Sequence, residues 1–493
     1  MANTILDLKP SNVWKHFYAL TQIPRPSGHM EKITGFIENF GKSLGLETTR
    51  DAANNICIRK PATPGYENRQ TLILQSHLDM VPQANSNLKF DFTRDAIQTV
   101  IDGDWVKAKG TTLGADNGIG AAVTMAILEA KDLQHGPLEG LFTTDEETGM
   151  FGALAVRPGF IDGKIMLNLD SETDGELYIG CAGGEDVSAS FQYEKETVEF
   201  HEPIVVKISL TGLKGGHSGV DIHLGRANAN KQIFRLLKDT MRNQNARLIS
   251  VQGGTLRNAI PREAFATIAV DGETNYQDLL SLVGYYREVF VNEFDGIEDA
   301  IELKAERQPS PAGQVQAIPF EIQRKLIYAI TGCPNGVVNM FAKIPDKVET
   351  SVNMAIVQSD GQSIEVKFLA RSSSETKKRA ICSSVESVFI NAGADWVACG
   401  NGYPGWNPNP DSSILRIMEK VFETQRGYAP KVEVMHAGLE CGIILSNVPG
   451  LDTVSFGPTI QFPHSPDEKL EIASVQKFWD YLTGILKETP PAP

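Results

Sequence analysis

The sequence predicts an α/β protein of two domains, the second inserted into the first. Three observations predict it. The chain has 493 residues, more than one hydrophobic core ordinarily serves. Its first part alternates short apolar runs with helix-compatible segments, the order of a sheet with crossover helices. After residue 184 the order changes to strand, helix, two strands and helix, and that order recurs.

Residues 71–75 (TLILQ) are apolar enough for a buried parallel strand and end at Ser76-His77. Residues 118–130 (GIGAAVTMAILEA) are small and helix-compatible and read as a buried helix. Residues 138–144 form a second strand, ending at Asp145-Glu146-Glu147, and 164–169 a third, ending at Asp170. Sheets of this kind bind ligands beyond the carboxyl ends of their strands, and the acid and histidine clusters stand at those ends. The glycine-rich segment 180–184 reads as a hinge. Beyond it come strand 203–210, helix 227–242, strands 248–252 and 264–270, and helix 276–292. Strand 300–305, helix 319–331, strands 352–357 and 363–370, and helix 374–391 then repeat the order. Residues 187–403 are therefore the expected second domain, although its halves are too dissimilar to assert a duplication. The turn-rich stretch 400–410 reads as the return crossing. Residues 1–186 and 404–493 then share the first domain, because the tail carries His464.

Composition narrows the function. A net charge of −15 disfavours nucleic acid and anionic membranes as partners, since both need basic surface. No apolar stretch reaches the ~18 residues of a membrane span. Residues 1–15 carry Asp7 and no long apolar run, so they read as neither signal peptide nor anchor. The six cysteines are scattered without a Cys-x-x-Cys pair, which suits free thiols in a reducing, cytoplasmic compartment. It also removes cysteine as a metal anchor.

Histidine and carboxylate remain. His77 and Asp79 lie two apart at a strand end and face one side, so Asp79 can orient the His77 ring. Asp116 reads as a helix N-cap when taken alone, but its two oxygens could also bridge two cations. Asp145, Glu146 and Glu147 repel one another unless cations neutralise them, or unless they form an exposed acidic loop. Asp170 again ends an apolar strand. His464, in FPHSPDE, could be a simple turn histidine. As a set, two histidines and three carboxylates suit zinc, manganese or cobalt. Five donors exceed what one catalytic zinc takes. They suit two metals roughly 3.5–4 Å apart sharing a carboxylate.

The segments LILQSHLDMVPQ, TTLGADNGIGAA, TTDEETGMFGA, LNLDSETDGELYIGCAGG, GLKGGHSGVDIHLGRANANK, GGTLRNAIPREA and VMHAGLECGII run from Leu72 to Ile444. Together they resemble the family of dinuclear metallopeptidases that includes carboxypeptidase G, aminoacylase, carnosinase and bacterial tripeptidase. The DNGIG form after Asp116 favours its dipeptidase branch. The resemblance implies a mixed central sheet with helices on both faces and an inserted α+β lid and dimerisation domain. It implies two divalent ions, zinc foremost. His77 and Asp170 would hold one ion, Glu147 and His464 the other, and Asp116 would bridge them, followed by a cis peptide. Glu146 would be the general base, and Asp79 would orient His77. His217 and Asn258 would touch substrate, Arg371 would hold its carboxylate, and Gly438 would make a backbone contact. The implied activity is hydrolysis of unblocked dipeptides, Xaa-His dipeptides such as β-alanyl-histidine included, in a cytoplasmic homodimer. A tripeptidase, carboxypeptidase or N-acyl amino-acid deacylase of the same family is the alternative.

Overall fold

Leu72–His77, Leu138–Thr143 and Ile165–Asn168 are strands in which every residue is buried. Burial on both faces is why each reads as a continuous apolar run rather than an alternation. They lie side by side in parallel, with Asp452–Ser455 as a fourth parallel strand. Register then sets the chemistry. His77 stands opposite Thr143, Gln75 opposite Asn168, and Asn168 opposite Ser455. Strands so aligned end along one edge, so Asp145-Glu146-Glu147 and Asp170 emerge where His77 does.

These strands belong to one of two units into which the chain divides, and the computed structural model describes residues 4–492. Residues 1–3 of the amino-terminal segment read above lie outside those described. The first unit comprises residues 4–181, Trp406–Val434 and residues 439–492. Its parallel centre is flanked antiparallel by Ile56–Lys60 and Glu47–Arg50 on one side and by Glu176–Cys181 on the other. With Lys431–Met435 at the edge, this makes a mixed sheet of eight strands. The helix Ala115–Glu129 is buried on nearly all sides, as its small, apolar composition requires. It packs against the Leu72–His77 strand and the helix Ser11–Thr21.

The second unit, Ala182–Gly405 with Met435–Gly438, is built on a nine-stranded sheet. Eight of its strands run antiparallel in the order Glu302–Arg307, Pro203–Thr211, Ala264–Asp271, Arg247–Gly253, Val348–Ser359, Ser363–Ser372, Gly183–Gln192 and Trp396–Tyr403, and the ninth, Gly336–Met340, pairs antiparallel with Val348–Ser359 off this path. Helices Ala229–Asn243, Gly272–Glu293, Phe320–Gly332 and Glu375–Asn391 bring Phe234, Phe290, Leu326 and Phe389 to a core shared with Phe191, Ile208, Ile268 and Phe368. The first of these helices starts where Asn228 accepts the Lys231 N–H, a side-chain N-cap. The repeated strand–helix–strand–strand–helix order is present over these elements.

Two sequence expectations need correction. The crossings fall after Cys181 and after Gly405, and Met435–Gly438 goes with the second unit. Hydrogen bonding explains this. Gly183 and Gly184 already pair with Ser372 and Arg371, and the Ala182 N–H donates to the Met435 carbonyl. Nor are the glycines of 180–184 simply a hinge, because Gly183–Gln192 is a strand. A Cβ on Gly183 would lie 2.4 Å from Gly405 N, and one on Gly184 2.7 Å from the Tyr403 ring. These glycines permit close approach of a neighbouring strand. No helix among the described residues is long and apolar enough to cross a membrane.

Candidate metal centre

Within the first unit, Asp116 divides its two oxygens between two groups. Oδ1 lies 3.0 Å from His77 Nε2, which is itself 3.3 Å from Asp170 Oδ1. Oδ2 lies 3.1 Å from His464 Nε2, which is 2.9 Å from Glu147 Oε2. Among the described residues, His77–Asp116–Asp170 and Asp116–Glu147–His464 each converge closely enough to hold an ion, as do His77–Glu146–Glu147. The Asp116–Asn117 peptide is cis, as the resemblance implies. Asp116 and Asn117 have non-helical φ and ψ that break the segment 115–129 near its start, and the Asp116 oxygens face His77 and His464.

Asp79 does more than the sequence suggests. Its Oδ1 is 3.4 Å from His77 Nδ1, an ionic contact on the ring nitrogen turned away from Asp116. The same carboxylate accepts the backbone N–H groups of Glu146 and Glu147 at 3.0 and 3.2 Å, and the Ser27 hydroxyl at 2.8 Å. One buried carboxylate therefore stands beside the His77 ring and holds the loop that carries two acids. Asp145 points elsewhere, accepting the Gly28 N–H at 2.6 Å.

The electrostatics test whether these side chains fit cations. Burial pushes Glu146 well above the ordinary carboxylate range. His77 opposes that, while Asp170, Glu440 and Glu147 add to it. Burial likewise raises Glu147 and Asp170. Burial resists charge on Asp116 too, but hydrogen bonds with His464 and His77 outweigh it and hold that carboxyl low. His464, hydrogen-bonded to Asp116 and Glu147, is pushed up to about 11. The cluster thus pulls protons onto His77 and His464 and resists charge on Glu146, Glu147 and Asp170, the behaviour of a site short of positive charge. Glu147 Oε1 and Asp170 Oδ1 are buried without a hydrogen-bond partner. Burying such oxygens is costly unless a donor or an ion meets them. The donor set fits two divalent cations.

Sequence reasoning missed several residues around this cluster. Glu172, two residues past Asp170, is pushed up to about 9, by burial first and then by Asp116 and Asp170. Glu440 is fully buried, accepting from Gln75 Nε2 at 2.6 Å and from the Thr143 hydroxyl at 2.7 Å. Arg25 and Glu468, each 2% exposed, grip the backbone beside the ligands. Glu468 lies four residues after His464 in the same loop, the one local hint of it. Arg25 carries no local signal.

The remaining expected residues lie in the second unit. His217 Nδ1 accepts the N–H groups of Gly219 and Val220 at 3.2 and 3.0 Å, so in the neutral ring the proton is assigned to Nε2. Burial, then the Arg371 charge, lower His217 to about 4, so it is neutral near pH 7 with Nε2–H free to donate. Arg371 Nη2 lies 3.5 Å from that nitrogen, and its Nη1 donates to the Tyr403 hydroxyl at 2.9 Å. Two donors stand together, with Tyr403 fixing one of them. Asn258 is exposed, and its carbonyl accepts the Ser218 N–H at 2.8 Å. Gly438 ends the short segment Met435–Gly438, in which His436 Nε2 is 2.7 Å from the Ser351 hydroxyl.

An α/β unit that gathers two histidines and several buried carboxylates at the carboxyl edge of its sheet defines a metallohydrolase. Residues 73–488 match peptidase family M20/M25/M40, and the chain belongs to that family. It is 43% identical over 483 residues to the cytosol non-specific dipeptidase of Escherichia coli (strain K12), covering 98% of each chain. The crystal structure of aminoacylhistidine dipeptidase from Vibrio alginolyticus superposes with a TM-score of 0.92 at 43% identity, covering 99% of each chain. The likeness to the dipeptidase branch read from the sequence is therefore shown. The aminopeptidase PepT of Bacillus cereus, at 16% identity and a TM-score of 0.57 over 98% of this chain and 99% of its own, shares the fold alone.

Proposed function

We propose that this chain is a metal-dependent dipeptidase that cleaves unblocked dipeptides, Xaa-His dipeptides such as β-alanyl-histidine among them. The observation that carries the reading is the division of Asp116 between His77 with Asp170 and His464 with Glu147. His77, Asp170 and Asp116 would hold one ion, and Glu147, His464 and Asp116 the other. Zinc is the expected ion, and manganese or cobalt would also suit these donors. Bound there, the ions would supply Lewis-acid polarisation of the scissile carbonyl and acidify a water.

The side chains supply the rest. Glu146 takes a proton from the attacking water as its oxygen bonds to the carbonyl carbon. It returns that proton to the amine as the C–N bond breaks. Its backbone N–H, held by Asp79, keeps the carboxyl in place. His217 donates from Nε2–H to the oxygen that gains charge. Arg371, its fork fixed by the Tyr403 hydroxyl, takes the substrate carboxylate with two hydrogen bonds. Asn258 and the Gly438 backbone contact the substrate beside it. If that clamp sits one residue from the scissile bond, longer peptides misalign and the substrate is limited to two residues.

The test is a dipeptide panel with β-alanyl-histidine, Xaa-His and Xaa-Gly substrates, alongside tripeptides and N-acetyl amino acids. Chelation is expected to abolish cleavage, and zinc, manganese or cobalt to restore it. Tripeptides cleaved as fast as dipeptides would remove the length limit. Cleavage of N-acetyl amino acids alone would favour the deacylase reading.

We further infer a homodimer, formed through the second unit, which carries a sheet of its own. Light scattering on the purified protein is expected to give twice the 53.9 kDa of one chain. A mass of one chain at assay concentration would remove the dimer. The cytoplasm is the compartment we assign, supported by the free cysteines, five of them buried, and by the cytosolic relative. Recovery of the protein from a membrane or extracellular fraction would overturn that.

A further inference from the structure

Two buried ionisable side chains that the proposed reaction does not use grip the backbone around Asp116. Four consecutive N–H groups converge on the Glu468 carboxylate. Leu113 and Gly114 donate to Oε2 at 2.7 and 2.9 Å, and Ala115 and Asp116 donate to Oε1 at 2.7 and 3.2 Å. Arg25 holds the same turn through its carbonyl side. Its Nη2 donates to the Gly114 carbonyl at 2.5 Å, while Nη1 donates to the carbonyls of Leu78 and Asp79 at 2.9 and 3.1 Å.

The turn is shaped for this grip. Gly114 has φ +70°, which glycine adopts at no steric cost. A Cβ there would stand 2.6 Å from Arg25 Nη2 and 2.8 Å from Met80 Sδ. A Cβ on Gly118 would also meet Arg25 Nη2, at 2.5 Å. The connectivity matters more than the bond count. Arg25 joins the segment after His77 to the turn before Asp116. Glu468 joins that turn to the segment four residues beyond His464. Three pieces of chain far apart in sequence, each carrying an expected ligand, are thereby tied through two side chains.

We infer that Glu468 and Arg25 are positioning residues that hold Asp116 in register with His77 and His464, so that its two oxygens face two different ions. This rests on the metal reading of the site, which it deepens. Groups that orient ligands in this way commonly contribute about 10–100-fold to metal affinity or activity. Coulomb attraction alone would tolerate either charge at several positions. Four N–H groups on one carboxylate, and three carbonyls on one guanidinium, fix an orientation.

The test is titration of chelator-stripped full-length protein with Co2+, followed by calorimetry and by the visible absorption of bound cobalt. Glu468→Gln is the first variant. Its amide presents NH2 to two of the four N–H groups, so one half of the grip is lost with little change of volume. Tyr481→Phe, which removes a buried hydrogen bond to the Met418 carbonyl, is the control for loss of stability. The expected result is two cobalt ions per chain in the wild type, binding weakened about 10–100-fold in Glu468→Gln with a changed absorption band, and wild-type binding and spectrum in Tyr481→Phe. Arg25→Lys, whose single ammonium cannot serve three carbonyls, is expected to repeat the effect, and it decides the matter should Glu468→Gln not fold. Unchanged affinity and spectrum in the variants overturns the positioning role while leaving the metal reading intact. Equal weakening in the control reduces Glu468 and Arg25 to general stability and also overturns it. Wild-type protein that takes up no cobalt overturns the metal reading, and this inference with it.

Discussion

Glu146→Gln is expected to lower kcat on a dipeptide about 10²–10⁴-fold, with KM and metal content close to wild type. The two side chains have nearly the same shape, so the expected loss is one of proton affinity. Glu146 stands in the triad with His77 and Glu147, and its N–H is fixed by Asp79 Oδ1 at 3.0 Å. Burial and the neighbouring acids raise its proton affinity, and His77 lowers it. The net effect is a raised proton affinity, which suits a carboxylate that takes a proton, and a glutamine amide cannot take one. The measurement is steady-state kinetics on metal-loaded enzyme, with metal content determined on the same sample. A variant that retains wild-type kcat would move the base to another carboxyl, and Glu172 is the candidate the structure offers. A variant that loses metal together with activity would instead make Glu146 a ligand.

The site was legible in the sequence for a specific reason. Parallel strands buried on both faces appear as apolar runs with abrupt ends, and function sits at those ends. His77, Glu147 and Asp170 could be found that way, because each follows such a run within a few residues. Register was not legible. That His77 faces Thr143, and that Gln75 faces Asn168, depends on pairings between residues 66 and 93 positions apart. Asp116 illustrates the limit of local reading. Its surroundings match a helix start, and the backbone does break from helical φ and ψ at Asp116 and Asn117, but the side chain turns to His77 and His464, partners that no local pattern names.

The groups that sequence reasoning missed act through backbone atoms. Arg25 and Glu468 bind carbonyls and N–H groups of turns remote in the chain, and such partners have no side-chain identity to recognise. The strand Gly183–Gln192 was hidden by its own glycines, which serve close approach to Tyr403 and Gly405. In the second unit the strands with clear alternation and the helices with apolar stripes were found in order. The pairing of His217 with Arg371, and the Tyr403 hydroxyl that fixes the guanidinium, were not.

Arg371→Met is expected to lower kcat/KM for a dipeptide by about 2–5 kcal/mol, the range for removing one partner of a buried, hydrogen-bonded charge pair. The loss should fall mainly on KM, because a carboxylate held equally before and during reaction contributes uniform binding. The discriminating substrate is the same dipeptide with its carboxyl group amidated. Wild-type enzyme should prefer the free acid strongly, and Arg371→Met should lose that preference while retaining the slower rate on the amide. Arg371→Lys should fall between them, since an ammonium keeps the charge but loses the planar fork. The surroundings sharpen the comparison. Arg371 is 3% exposed and donates to Tyr403 and, at 3.4 Å, to the Ser218 hydroxyl, so methionine removes the hydrogen bond that Arg371 gives to each of these hydroxyls. If that disturbance were the whole effect, acid and amide would lose equally. That outcome would make Arg371 a support for His217 and shift carboxylate recognition to the His217 Nε2–H or the Gly438 backbone. Unequal loss, borne by the acid, would make the charge of Arg371 the reason this site selects a free carboxylate.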